Sequence, residues 1–183
     1  VTFTFIGRFL IDKGIKEFVG AASTLRKRHP NTIFQAVGDI DPDNSSSITP
    51  LILQKWKAES QVDFIEHQDN IKDIISNSDC IVLPSYREGM PKVLLEGLSM
   101  AKPLITTDVQ GCRELVTQGV NGFIVQHKSV DELTKALEIF LALEEKSRIV
   151  MGEKSREMAI QIFDSEIIAS RIKSITMEVL KSS

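Results

Sequence analysis

Short apolar runs alternate with amphipathic helical stretches along the first two thirds of the chain. Runs rich in Val, Ile, Leu and Phe predict strands at Thr2–Ile6, Thr32–Val37, Val62–Ile65, Cys80–Leu83, Pro103–Thr106 and Gly122–Val125. Helical periodicity between them predicts helices over Gly14–Arg28, Ile48–Glu59, Ile71–Asn77, Pro91–Met100 and Cys112–Gln118. Because helices separate the strands, we expect the strands to pair in parallel, with both faces of the sheet covered.

After Val125 the pattern is helical only. It predicts helices over Val130–Leu143, Ser147–Gln161 and Ser165–Leu180, the last of them capped by Asp164. The expected fold is therefore α/β: a Rossmann-like, doubly wound parallel sheet of about six strands with helices on both faces and extra C-terminal helices. In such a sheet, ligands bind where the strand order reverses, so the turns after strands one and four should flank the site.

Composition narrows the class of protein. The chain has 183 residues, a length that is enough for one domain with a full hydrophobic core. Its residues are 42% hydrophobic and 26% charged, and the net charge of -3 gives no basic excess of the kind that binds nucleic acid. No apolar run approaches the ~20 residues that span a bilayer, and no secretory signal is visible. Cys80 and Cys112 are expected to be reduced structural thiols in a cytoplasmic protein. The chain begins on a strand without methionine, so we expect a fragment of a longer polypeptide.

The turn after the first strand carries two cations. Gly7 allows a ligand close to the backbone, and Arg8 and Lys13 together could neutralise a diphosphate without a metal. The alternative is a solvated surface pair in which Lys13 bonds Asp12 or Glu17. The segment lacks the GxGxxG dinucleotide fingerprint and the P-loop pattern, which argues against an NAD enzyme or an NTPase.

The turn after the fourth strand carries a carboxylate and opens a helix. Pro91 is expected at the first helical position, where the free amides and the helix dipole favour an anion beside Glu88. Glu96 follows Glu88 after seven intervening residues and should lie about 7–8 Å along the helix axis. A phosphate beside several hydroxyls describes a nucleotide sugar. The alternative for Glu96 is a surface ion pair with Lys92.

Other polar residues are weaker candidates. Asp39-Ile40-Asp41, with Asp43 nearby, resembles a metal-binding Asp-x-Asp element, but the stretch Asp39–Ser47 is rich in Pro and Ser, which favours a flexible, turn-forming loop. His67 and Gln68 follow the third strand and are candidate contacts for a base, with plain loop surface as the alternative. His29 and His127 have no neighbouring zinc ligands in the sequence, so no metal site is predicted.

The pattern resembles the C-terminal donor-binding half of a GT-B retaining glycosyltransferase of family 4, the glycosyl transferases group 1. The resemblance covers almost the whole chain and rests on Gly7-Arg8 with Lys13-Gly14, Val37-Gly38, Leu83-Pro84-Ser85-Tyr86-Arg87-Glu88-Gly89-Met90-Pro91, Leu95-Glu96-Gly97, Lys102-Pro103-Leu104-Ile105, Gly111-Cys112-Arg113-Glu114 and Gly119-Val120-Asn121-Gly122-Phe123. The sequences of two of these motifs, Tyr86-Arg87-Glu88-Gly89-Met90-Pro91 and Gly111-Cys112-Arg113-Glu114, further resemble those of bacterial enzymes that build polysaccharide or lipid-linked oligosaccharide, often from UDP-N-acetylhexosamines.

The resemblance implies a role for each matching position. Arg8 and Lys13 would grip the donor diphosphate and Glu88 the hexose, which makes these three the expected catalytic residues. Glu96 would accept hydrogen bonds from the ribose. The remaining donor-binding residues would be Gly7, Gly89, Met90, Pro91, Lys92 and Val93, with Pro91 contributing no N–H. Family members commonly have glycine and alanine where Met90-Pro91 and Gly97 stand, which leaves the identity of the sugar open.

The resemblance also implies an activity for the full-length protein. Such enzymes retain the anomeric configuration without metal or cofactor, and their N-terminal domain holds the lipid-linked or saccharide acceptor. The full-length protein is therefore expected to be cytoplasmic and peripheral at the inner membrane face. Residues 1–183 are thus expected to be a single nucleotide-sugar-binding domain that transfers nothing alone. The alternatives are a non-catalytic Rossmann-like module that binds a nucleotide or a partner, and a related phosphorylase or epimerase.

Overall fold

The computed structural model describes residues 1–182 and contains one six-stranded parallel sheet. The strands are β1 Thr2–Ile6, β2 Ile33–Val37, β3 Asp63–Ile65, β4 Cys80–Leu83, β5 Leu104–Thr107 and β6 Gly122–Val125. Their order across the sheet is β3-β2-β1-β4-β5-β6, so the order reverses between β1 and β4. The expected doubly wound fold is confirmed, and every predicted strand lies within one residue of the observed bounds.

Helices alternate with the strands and then continue alone to the C-terminus. They are α1 Ile15–Leu25, α2 Pro50–Glu59, α3 Lys72–Ser76, α4 Lys92–Ser99, α5 Val130–Ala142, α6 Glu145–Ile162 and α7 Ser165–Ser182. Side chains cap several of them. Thr49 accepts a hydrogen bond from the Ile52 amide at the start of α2, and Ser129 does the same for Glu132 at the start of α5. The predicted cap Asp164 accepts from the Glu166 amide at 2.8 Å at the start of α7. None of the helices in residues 1–182 combines the length and hydrophobicity that crossing a bilayer requires.

The predicted helix Cys112–Gln118 is wrong. Only a 3-10 turn forms there, over Arg113–Leu115, and Val116 already has extended backbone angles. The Thr117 amide donates to the side-chain oxygen of Asn121 at 2.7 Å, a local bond that competes with continuing the helix.

Aromatic side chains fill the core on one face of the sheet. The ring of Phe3 on β1 stacks on Phe34 of β2 at 5.3 Å and meets Phe140 of α5 edge-on at 5.5 Å. Phe18 of α1 packs against Phe5 and Phe34. On the opposite face, α4 packs against β4 and β5, with Gly97 of α4 against the side chains of Ile81 and Leu104. Both faces are thus covered, which leaves the strand ends as the places where a ligand can reach the backbone.

The start of α1 lies directly against the end of β4. Gly14 has a left-handed backbone (φ 77°), and a Cβ atom at this position would lie 2.1 Å from the carbonyl oxygen of Pro84. Glycine is therefore required twice over, by its conformation and by the closeness of the neighbouring backbone. This contact brings the turns after β1 and β4 together.

We predict that Gly14→Ala lowers the free energy of unfolding by at least about 2 kcal/mol, because left-handed strain and overpacking add. Gly119 is the matched control, since it is also left-handed (φ 73°) but has no atom within 4 Å of the position a Cβ would take. Gly119→Ala should cost only the strain, about 1 kcal/mol. Urea unfolding of both variants checks this; equal losses would contradict the close contact.

Candidate functional site

A cavity of about 780 Å³ lies at the carboxyl ends of β1, β2 and β4, where the strand order reverses. Three loops and the start of α4 line it. The lining includes Gly7, Arg8, Lys13, Gly38, Asp39, Asp41, Pro42, His67, Gln68, Asp69, Pro91, Lys92, Val93 and Glu96. The cavity therefore lies where the strand order alone places a ligand in a doubly wound sheet.

An ion pair joins the two charged turns. The Lys13 ammonium lies 2.6 Å from the Glu88 carboxylate, with only 26% and 9% of the two side chains exposed. Backbone contacts run beside it, because the carbonyl oxygen of Asp12 accepts hydrogen bonds from the Tyr86 amide at 2.7 Å and from the Ser85 hydroxyl at 2.9 Å. The alternative that Lys13 pairs with its chain neighbours is not what the structure shows. The two turns therefore meet at the Lys13–Glu88 ion pair.

The amino-terminal end of α4 faces the cavity. Pro91 caps this helix, which begins at Lys92, one residue later than predicted. The first amides of a helix have no acceptor within it, so those of Lys92 and Val93 are available at the cavity wall. Glu88, Gly89 and Met90 all lie outside the lining. Gly89 and Met90 are exposed, and Glu88 meets the lining through its ion pair with Lys13.

Glu96 lies further along α4 and lines the same cavity. Its side chain is exposed, and within residues 1–182 it forms no ion pair with Lys92. The surface-pair alternative for Glu96 is therefore not realised, and its carboxylate remains open to hydrogen-bond donors.

Asp41 is a site residue that the sequence interpretation undervalued. Its carboxylate lies 2.5 Å from the Arg8 guanidinium, and both residues line the cavity. Within residues 1–182, no group of three or more His, Cys, Asp or Glu side chains is placed to hold a metal ion. The position of Asp41 could have indicated its role, because it closely follows β2, and the carboxyl ends of the parallel strands β1 and β2 lie at the same edge of the sheet.

The loop Asp39–Ser47 is tied down, whereas the sequence predicts a flexible loop. Its backbone bonds to the turn after β1 at 2.8 Å (Phe9 amide to Asp39 oxygen) and 2.8 Å (Ile11 amide to Ser46 oxygen). The Ser46 hydroxyl also bonds the carboxylate of Asp12. A composition rich in Pro and Ser did not predict these contacts because they depend on a segment at least 30 residues away in the sequence.

His67 and Gln68 both line the cavity, as their place after β3 predicts. Both are exposed, and the His67 amide donates to the carboxylate of Asp39 at 3.4 Å. They form the end of the cavity that lies across from α4 in the strand order, with β1 and β2 between.

Comparison with known proteins identifies the family. Residues 1–158 match the glycosyl transferases group 1. The chain belongs to this family. The expected resemblance is therefore confirmed, and the fold is that of one half of a GT-B glycosyltransferase.

Relatives of this glycosyl transferases group 1 chain come from bacteria. It is 29% identical over 177 residues to the N,N'-diacetylbacillosaminyl-diphospho-undecaprenol alpha-1,3-N-acetylgalactosaminyltransferase of Campylobacter jejuni, covering 97% of this chain and 44% of that enzyme. It is 34% identical over 134 residues to a putative teichuronic acid biosynthesis glycosyltransferase of Bacillus subtilis, covering 73% of this chain and 31% of the relative. The chain thus spans less than half the length of these two relatives.

Solved structures share its fold. HepE of Anabaena, in complex with UDP, matches with a TM-score of 0.82 at 23% identity, over 100% of this chain and 49% of HepE. Sucrose-phosphate synthase of Thermosynechococcus elongatus matches with a TM-score of 0.83 at 24% identity, over 100% of this chain and 46% of the synthase. Both alignments confirm the architecture of this group 1 chain.

A buried thiol lies under the Glu88 turn of this group 1 domain. Burial raises the pKa of Cys112 to about 11, although its hydrogen bond with Thr106 acts in the opposite direction. The preceding Gly111 has a left-handed backbone (φ 85°), and a Cβ there would lie 2.1 Å from the carbonyl oxygen of Gly89. The turn after β5 therefore supports the Glu88-Gly89 backbone from below, a contact that no spacing in the sequence indicated.

We predict that Cys112 reacts slowly with a thiol reagent such as DTNB in the native state at pH 8. Because its pKa rises from 9.0 to about 11, the thiolate fraction at this pH falls about a hundredfold. Burial also raises the pKa of Cys80, so both thiols should react fully only in denaturant. Rapid labelling of Cys112 in the folded chain, located by mass spectrometry, would contradict the buried position.

Proposed function

We propose that this chain is the donor-binding domain of a retaining, metal-independent glycosyltransferase that uses a UDP-sugar. One observation carries the proposal: Lys13 lines a cavity together with Arg8, Glu96 and the start of α4, and it pairs at 2.6 Å with Glu88, which lies outside the lining. Cations, helix amides and carboxylates around a single cavity suit a ligand that has a diphosphate and several hydroxyls.

The diphosphate takes the cationic part of the cavity. Arg8 offers a planar fork to phosphate oxygens, Lys13 a compact charge, and the amides of Lys92 and Val93 a positive dipole end. When the bond to the sugar breaks, negative charge grows on the departing UDP. Fixed donors at that place stabilise the charge without reorganising, so no metal is required in this proposal. Arg8 forms an ion pair with Asp41, and the diphosphate would replace the Asp41 carboxylate as its partner.

The remaining contacts follow from positions around the diphosphate. The hexose lies near Glu88, Gly89 and Met90, while the ribose lies along α4 at Glu96. His67 and Gln68 are then left for the base at the far end of the cavity. Gly7 keeps the backbone of the first turn open to the ligand, and Pro91 shapes the turn without donating a hydrogen bond.

The relatives support a broader proposal for the full-length protein. The name of the Campylobacter enzyme gives an N-acetylgalactosaminyl group as the unit transferred and an undecaprenol-linked diphosphosugar as the acceptor. We infer that a further N-terminal domain completes the cleft, binds a polysaccharide or lipid-linked acceptor and brings the protein to the cytoplasmic membrane face. The present chain would then bind the donor and transfer nothing alone.

A thermal-shift panel of UDP, GDP and ADP and their sugars tests donor binding. At about 100 times Kd, the preferred donor should raise the free energy of unfolding by about 2.7 kcal/mol. We expect the largest stabilisation from a UDP-sugar. No stabilisation by any nucleotide would favour the alternative of a non-catalytic module that binds a partner.

Two substitutions separate the proposed roles, with Kd measured by calorimetry. Arg8→Ala should weaken UDP itself by about tenfold or more, because a charge-assisted contact worth about 1.5–3 kcal/mol is lost. Glu88→Ala should leave UDP binding largely intact and remove the preference for UDP-sugar over UDP. Arg28, an exposed arginine paired with Glu138 outside the cavity, is the control: Arg28→Ala should change neither. Equal losses for both ligands in both site variants would contradict the assignment.

A further inference from the structure

A second side-chain contact joins the two charged turns beside the Lys13–Glu88 pair. The Tyr86 hydroxyl donates a hydrogen bond of 2.7 Å to the carboxylate of Glu17. Glu17 lies in the first turn of α1, four residues after Lys13, and Tyr86 lies two residues before Glu88. The Lys13–Glu88 and Glu17–Tyr86 pairs therefore link the same two segments.

Asp12 makes further contacts with the turn that contains Tyr86. The Asp12 carbonyl oxygen accepts from the Tyr86 amide at 2.7 Å, and the Asp12 carboxylate lies 3.3 Å from the Arg87 guanidinium. Displacing Tyr86 would therefore break its own backbone contact and disturb the side-chain contact of Arg87. Glu88 is the residue after Arg87, so its distance from Lys13 depends on where Tyr86 lies.

Burial makes the Glu17–Tyr86 bond a strong constraint. Glu17 is only 5% exposed, and its second carboxylate oxygen has no hydrogen-bond partner in the part of the chain that the structure describes. A carboxylate removed from water depends heavily on the donor it keeps. Burial, followed by the bond to Glu17, raises the pKa of Tyr86 well above its usual range, so the hydroxyl stays a donor throughout the neutral range.

The Tyr86 ring also contacts the loop that precedes α5. The Lys128 ammonium lies 5.0 Å from the ring centre, and the ring of His127 is 6.1 Å away. Both residues belong to the loop between β6 and α5. Tyr86, Glu17 and Glu88 all lie outside the lining of the cavity, whereas Lys13 lines it, so Tyr86 and Glu17 would act on a ligand through the Glu88–Lys13 pair.

We propose that Glu17 and Tyr86 are positioning residues whose buried hydrogen bond places Glu88 opposite Lys13 and thereby sets the preference for a sugar nucleotide over the bare nucleotide. This inference rests on the proposed function, because the preference exists only if the cavity binds the donor. It assigns the preference to a pair of residues that never touch the ligand. A purely structural role for the pair would change stability and leave the preference intact.

Tyr86→Phe is the direct test, since it removes only the hydroxyl. The probes are UDP and whichever of UDP-glucose, UDP-galactose, UDP-N-acetylglucosamine and UDP-N-acetylgalactosamine the unmodified chain binds best. We expect the ratio of the two Kd values to shift about tenfold toward UDP, with the Kd of UDP itself unchanged. Glu17→Gln keeps an oxygen that accepts the Tyr86 proton and should retain the preference.

Phe140→Leu is the matched control for stability. Phe140 is fully buried in the core and remote from both charged turns in its contacts, so its truncation should lower Tm without moving the Kd ratio. If Tyr86→Phe lowers Tm and leaves the ratio unchanged, as Phe140→Leu does, the positioning role is overturned.

Amide hydrogen exchange on the ligand-free chains gives a second, independent readout. Tyr86→Phe should raise exchange locally at residues 86–90, whereas Phe140→Leu should not single out this turn. If the unmodified chain binds no nucleotide, the proposed function fails and the inferred preference fails with it. If it binds and prefers a UDP-sugar but exchange at the turn is unaffected by Tyr86→Phe, only the positioning inference fails.

Discussion

The site depends on the close packing of the α1 start against the end of β4. Parallel pairing sets Phe3 opposite Cys80 and Thr4 opposite Ile81, and the backbone of Gly14 then rests on the carbonyl of Pro84. Because this position tolerates no side chain, the turns after β1 and β4 come within reach of each other's polar groups. The ion pair, the Asp12 carbonyl contacts and the cavity all follow from that approach.

Arg8 and Lys13, two cations that line the cavity, are each paired with a carboxylate. Arg8 pairs with Asp41 and Lys13 with Glu88, each within 2.6 Å. Such pairing offsets part of the cost of holding these charges close together. An anionic ligand that displaces one carboxylate and contacts the other through its hydroxyls would keep the charges balanced. The arrangement thus suits a molecule with both phosphate and sugar.

Local pattern was enough for most of the fold and part of the site. Strands such as β1 and β4 were predictable because continuous apolar runs between helical segments have few other solutions. The placement of Arg8 on the cavity wall followed from its position directly after a strand end, and that of Glu96 from helix spacing, whereas Glu88 lies outside the lining. The helix predicted over Cys112–Gln118 does not form, although the spacing is helical, because the Thr117 amide donates to the side-chain oxygen of Asn121 instead of a helical carbonyl.

The sequence by itself determined the alternation of strands and helices, the placement of charged turns after β1 and β4, and the motifs of the glycosyl transferases group 1. Only the tertiary structure decided which charged and polar side chains pair with each other. Spacing offered Lys13 neighbours within one helical turn, but its partner lies 75 residues away. The same holds for Asp41 with Arg8 and Glu17 with Tyr86, separated by 33 and 69 residues. Periodicity reports contacts within an element, whereas these pairs exist because strand order brings distant turns to one edge of the sheet.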